Sequence, residues 1–211
     1  MSFVIFDTEY TTWQGCQENG WHGNQKKEIV QIAALKVTDE FAVIGEFNVL
    51  CRPKVNPVLS DYFVNLTHIT NENVRQNGKD FLSAYSEFKK FVGRNVCFSH
   101  AWGADLKNKS DGNIINENLF LHNKSPEKNI TFLNIAPIFA ELYKNKGIDV
   151  KSQSSGQIVK ILGLTQKLEE LQLDTHNAFY DVYSVLEGLK YFLPESSLMI
   201  TKGLESAERT D

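Results

Sequence analysis

Positive charge is in short supply in this chain. Its 22 Lys and Arg stand against 26 Asp and Glu, a net charge of −4, which argues against a broad basic surface for gripping nucleic acid. Cysteine is scarce as well: Cys16, Cys51 and Cys97 are odd in number and form no C-x-x-C pair, which fits reduced thiols better than a disulfide framework. No apolar run approaches the roughly 20 residues that a membrane span needs. The N-terminus lacks a basic segment followed by an apolar one, so a cytoplasmic location and no membrane partner are expected. Internal repeats and low-complexity segments are also missing.

What remains is ordinary globular material. The 211 residues are 42% hydrophobic and include 14 Phe, 7 Tyr and 3 Trp, enough for one well-buried core and too few for two comfortable domains. We expect one domain over residues 1–193 and a polar, flexible tail over 194–211. The oligomeric state is not readable from the sequence.

Along the chain, Phe3-Val-Ile-Phe6 reads as a buried strand that runs out at Asp7-Thr-Glu9. Residues i and i+2 of a strand share a side, so these two acids present their carboxylates to one place. With 10 Asp and 16 Glu in the chain, such a triplet is expected roughly 0.8 times by chance. Its position gives it weight, because open α/β sheets bind ligands at strand ends. Residues 13–27 are rich in Gly, Asn and Gln and read as a loop, with Trp13, Trp21 and His22 as its notable members; an aromatic there either stacks on a base or pins the loop. Glu28–Val37 and Phe41–Leu50, split by Thr38-Asp39-Glu40, predict an antiparallel hairpin.

Further on, Ser60 and Thr70 or Asn71 are N-cap candidates for two short helices. Apolar residues at 81, 82, 85, 88 and 91 mark an amphipathic helix. A strand over 95–100 follows, then a polar connection over 107–129 with a short apolar element at 119–121, a last strand over 130–135, and helices starting near Pro137 and Gly156. The spacing of Val182, Val185, Leu186, Leu189 and Phe192 predicts a long helix over 178–192 that stops before Pro194. The sum is an α/β fold with a mixed five-stranded sheet, three strands antiparallel and the others parallel, flanked by helices.

Two segments place a His five residues before an Asp: His100…Asp105 and His176-Asn-Ala-Phe-Tyr-Asp181. Chance predicts about 0.2 such pairs. Here the chain resembles the DEDDh 3′→5′ exonucleases of the ribonuclease H-like superfamily: Asp7-Thr-Glu9 matches the first motif, Asp105 the second, and His176 with Asp181 the third, as His-x-Ala-x-x-Asp. Glu9-Tyr-Thr-Thr-Trp13 and residues 59–70 are similar to the enhancer-of-RNA-interference and KapD-like exonucleases, with His68 where those relatives usually have Gly.

The resemblance implies metal-dependent hydrolysis from the 3′ end of single-stranded nucleic acid, RNA favoured over DNA, with release of nucleoside 5′-monophosphates. It implies Asp7, Glu9, Asp105 and Asp181 as ligands of two divalent ions. Hard carboxylate oxygens suit Mg²⁺ or Mn²⁺, and a two-metal site can supply both nucleophile and leaving-group stabilisation. Glu9 is further expected to position the attacking water, and His176, with an ordinary pKa near 6.5, to take its proton. Tyr10, Thr11, Trp13, His68 and Trp102 are candidate substrate contacts. For His100 and Trp102, hydrogen bonding at a strand end and packing are the competing structural roles. A nucleic-acid-binding module with weak or no hydrolysis and a DNA-directed proofreading-type exonuclease are the alternatives. The first would be marked by a lost ligand, and the acid set here is complete.

Overall fold

The computed structural model describes residues 1–101, 111–150, 153–170 and 177–208. Its centre is a six-stranded sheet in the spatial order β4 (Lys79–Asp80), β3 (Val43–Arg52), β2 (Ile29–Thr38), β1 (Ser2–Tyr10), β5 (Cys97–Ser99), β6 (Phe132–Asn134). β1, β2 and β3 form an antiparallel meander, as the hairpin signal predicts. β5 and β6 continue it in parallel beyond β1. The sixth strand, β4, is a two-residue parallel addition to the end of β3. It is too short to leave any alternation in the sequence, which is why five strands were expected.

β1 and β2 are buried on both faces because helices cover each side; the chain also forms the short helices α1 (Cys16–Asn19), α7 (Ile158–Ile161) and α8 (Thr165–Glu169). On one face α9 (Ala178–Tyr191) joins α6 (Ala136–Asn145) and α10 (Glu195–Glu208) around Phe3, Ile5, Leu35, Phe98, Phe139 and Leu186. On the other, α4 (Phe81–Val92) and α5 (Asp111–Leu121) enclose Val4, Phe6, Ile32, Phe88 and Ile115. Local rules hold where they were read. Ser60 Oγ accepts from Phe63 N at 3.1 Å to start α2 (Asp61–Thr67). Thr70 and Asn73 form a capping box for α3 (Asn71–Asn77), satisfying donors that a helix start leaves free.

Two segments differ from the sequence expectation. Residues 111–121, read as part of a polar loop, are helix α5, and a buried asparagine explains why polarity misled. Asn118 Oδ1 accepts from Ile29 N at 2.9 Å and its Nδ2 donates to Lys27 O at 2.8 Å, so it pins the end of the 13–27 loop instead of facing water. Gly112 lets α5 approach β6, since a Cβ there would lie 2.6 Å from the Phe132 side chain. Residues 195–208, read as a tail, are helical; Ile200 and Leu204, one turn apart, are buried and anchor α10 to the core. Two apolar anchors in a polar segment are a weak pattern in sequence.

Candidate metal centre

At the carboxyl end of β1, Asp7 and Glu9 emerge on one side, paired across the ladder with Ala33 and Gln31 of β2. The register slips between Glu9 and Tyr10, a bulge of the kind that re-aims side chains beside a site. Asp181, in the first turn of α9, comes down on the same place. One carboxylate oxygen from each of Asp7, Glu9 and Asp181 lies within 4.8 Å of the others. Here the fold unites both ends of the chain.

A fourth acid lining the cleft is Asp111, a residue outside the expected set. Asp111 begins α5, takes a 2.6 Å hydrogen bond from Thr8 Oγ1 on its Oδ1 and donates its own N–H to Ser99 Oγ at 3.1 Å. It lines the same cleft of about 700 Å³ as Asp7, Glu9 and Asp181. Asp105, the acid expected in that role, lies outside the described residues, as do Trp102 and His176. The signal for Asp111 was an acid followed by Ile115 and Leu119 at helical spacing, a helix start with a charge at its N-terminus.

Packed carboxylates with few counter-charges disfavour ionisation. Burial, then the charges of Asp111, Asp181 and Glu9, push Asp7 well above the carboxylate range; burial, then Asp181 and Asp111, do the same to Glu9. Burial lifts Asp111 to about 6 against the hydrogen bond from Thr8. Asp181 also rises to about 6, through burial and against its hydrogen bond from Ser155. A set of four hard oxygen donors whose mutual repulsion a cation would relieve fits a divalent metal.

Ser155 ties the cluster together. Its hydroxyl is 2.7 Å from Asp181 Oδ2 and 3.5 Å from Asp7 Oδ1, and its carbonyl accepts from Ser184 Oγ of α9 at 2.7 Å. The neighbouring Gly156 has to be glycine for contact, because a Cβ would lie 2.4 Å from Asp181 Oδ1. This short 3₁₀ turn, Ser155–Gln157, was read only as a helix start.

The expected substrate contacts separate. Tyr10 lines the cleft, and burial and the charge of Asp111 push its phenol up to about 12. Beside it are Trp21, with ring centroids 5.9 Å apart, and Lys27, whose Nζ is 4.5 Å from the Trp21 ring. Trp21 Nε1 donates to Thr11 O at 2.9 Å, so this tryptophan is fixed at the cleft. Thr11 is buried and its hydroxyl is spent on Lys26 O and Glu28 N. Trp13 is half-buried and is not among the residues lining the cleft. His68 caps α2 with a left-handed φ of 59° and lines a separate cleft. His100 borders the acid cleft, edge-on to Phe139, and burial lowers it to about 4.

Among the described residues no helix is long and apolar enough to cross a membrane. Residues 4–189 match the family model RNase_T, described as an exonuclease. Similar solved structures include cell-death related nuclease 4 (CRN-4), with 16% identity over 91% of this chain and 63% of that one, TM-score 0.68. Another is E. coli Exonuclease I in complex with a dA16 oligonucleotide, 15% identical over 95% of this chain and 43% of that one, TM-score 0.68. A third is the nuclease domain of 3′hExo, a DEDDh family member, bound to rAMP, 18% identical over 97% of this chain and 94% of that one, TM-score 0.59. The chain thus spans under two thirds of the first two. No curated protein matches it. At these identities the likeness shows the fold, a ribonuclease H-like mixed α/β sheet.

Proposed function

The chain belongs to the RNase_T exonuclease family, and from that premise we propose that it is a metal-dependent 3′→5′ exonuclease that removes nucleoside 5′-monophosphates from single-stranded nucleic acid, RNA in preference to DNA. The observation that carries this reading is the convergence of Asp7, Glu9 and Asp181 within 4.8 Å at a strand end. Asp7, Glu9, Asp181 and Asp111 are the ligands the described geometry favours for two Mg²⁺ or Mn²⁺ ions; Asp105 remains the ligand that the motif pattern favours in place of Asp111. When bound, such a pair activates water and neutralises charge on the leaving oxygen.

The chain's own residues supply the rest. Ser155 holds the Asp181 carboxylate by one oxygen. Glu9 orients the attacking water, and His176 accepts its proton. His100 is not suited to that task, since at about 4 it has little proton affinity near neutrality. Tyr10 and Trp21 offer ring faces to the terminal base, and Lys27 an ammonium to a phosphate. Preference for RNA follows from the motif resemblance, and the rAMP-bound DEDDh neighbour supports it.

The test is incubation of purified protein with RNA and DNA of one sequence, 5′-labelled, under excess Mg²⁺. Faster shortening of RNA is expected; equal or faster shortening of DNA overturns the preference while leaving the nuclease reading intact.

A further inference from the structure

A second cleft, of about 430 Å³, opens beside the acid site and takes no part in the chemistry above. Its floor is Gln31, only 2% exposed, which is the cross-strand partner of Glu9, so the two sites are neighbours about 5 Å apart in the sheet.

The hydrogen bonds around Gln31 fix which way three amides face. Ala178 N–H donates to Gln31 Oε1 at 3.1 Å and Phe179 N–H to Asn177 Oδ1 at 2.9 Å. A backbone N–H can only donate, so both oxygens are assigned without choice. Gln31 Nε2 must then be the donor to Asn177 Oδ1 at 3.0 Å and to Asn48 Oδ1 at 2.9 Å. The Nδ2 groups of the exposed Asn48 and the half-buried Asn177 have no partner among the described residues and are open to solvent or to a ligand, and both side chains line the cleft.

Two oriented amide donors, with only the neutral polar groups of His68, Asn73 and Asn77 beside them, describe a neutral acceptor as the ligand. Lys79, the one ammonium on the wall among the described residues, is already 2.7 Å from both oxygens of Glu87. Leu50 and Ile69 add apolar wall for a flat ring. A carbonyl-bearing nucleobase has this chemistry: one acceptor edge and an apolar face, read when the base is unstacked.

We propose that this cleft binds a keto base of the same strand whose 3′ end occupies the acid site, and so gives the enzyme a base preference near the 3′ end. This rests on the nuclease reading, and the test separates the two.

With EDTA present, binding of labelled oligoadenylate carrying one hypoxanthine near its 3′ end is measured, the hypoxanthine being moved position by position. Each is compared with the same strand carrying purine at that place, which lacks the carbonyl and has a bare N1 in place of the N1–H. At one position hypoxanthine is expected to bind about tenfold tighter, the worth of one or two hydrogen bonds. Asn48→Asp and Asn177→Asp keep the oxygen that accepts from Gln31 and replace the donor by an acceptor. Both are expected to melt as the wild type and to abolish the tenfold difference.

No discriminating position, or a difference that survives both substitutions, overturns the proposal. Competition by free inosine monophosphate as strong as by the strand would assign the cleft to a loose nucleotide and overturn the strand assignment. Discrimination without Mg²⁺-dependent cleavage would sink the nuclease reading alone, and cleavage without discrimination the cleft alone.

Discussion

Ser155 and Asp181 are joined by a 2.7 Å hydrogen bond that fixes one carboxylate oxygen of the acid cluster, 26 residues apart in sequence and in contact in space. The same hydroxyl reaches toward Asp7 at 3.5 Å, so a residue that binds no metal in our reading sets the geometry of two that do. Ser155→Ala is expected to lower kcat about tenfold and to raise the Mg²⁺ concentration needed for half-activity, effects of the size seen when groups supporting metal ligands are lost. A Mg²⁺ titration of turnover checks this; an unchanged half-activity concentration would assign Ser155 a packing role only.

Asp181→Asn separates stability from activity. Burial and like charges raise the Asp181 carboxyl to about 6, so near pH 7.5 its ionised form is held at a cost to the metal-free fold. A raised carboxyl contributes stability below its unfolded value, lost as pH rises through the folded one. In EDTA at pH 7.5 the variant is therefore expected to be more stable than the wild type, by about 1–3 kcal/mol, with the difference vanishing by pH 4. Turnover is expected to fall at least 100-fold. Melting curves at the two pH values decide it.

Asp111 and Asp105 compete for one role. Since Asp111 shares the cleft with Asp7 and Glu9 and is held by Thr8 at 2.6 Å, Asp111→Asn is expected to cost at least 100-fold in kcat and Asp105→Asn less than tenfold. The reverse ranking would return the second motif to Asp105.

Glu127, which does not line the acid cleft, carries a prediction of its own. Its Oε2 accepts from Lys89 Nζ at 2.7 Å and from the Tyr85 hydroxyl, and its Oε1 from Asn129 N at 2.6 Å. Burial alone would raise this carboxyl, yet the contacts from Lys89, Tyr85 and Asn129 bring it from 4.5 to about 2. A depressed carboxyl stabilises above its unfolded pKa, and the contribution is lost as pH falls through the folded value. Glu127→Gln is expected to cost about 1–2 kcal/mol at pH 7 and next to nothing near pH 2, measured by urea unfolding.

Much of this was legible in the residues. Strict alternation at the end of β1 places Asp7 and Glu9 together, the short polar break at 38–40 makes the hairpin, and the apolar spacing of 182–192 makes α9 and orients Asp181. Each is a local rule acting over a few residues. The rest depends on contacts that local rules do not carry. Asn118 looks like a loop residue until Lys27 and Ile29 are seen to occupy its amide. Asp111 belongs to no motif spacing, unlike His100…Asp105; its place comes from Thr8 and Ser99 on two separate strands. Ser155 belongs to no motif and acts through Asp7 and Asp181, distant in sequence.

The most direct measurement is the product pattern from 5′-labelled and 3′-labelled copies of one single-stranded RNA, with Mg²⁺, with EDTA, and with Asp7→Asn. The account predicts that the 3′ label is released at once as a nucleoside monophosphate and that the 5′ label shortens one nucleotide at a time. Both are lost with EDTA or Asp7→Asn. Internal cuts, shortening from the 5′ end, or undiminished release in EDTA would contradict it.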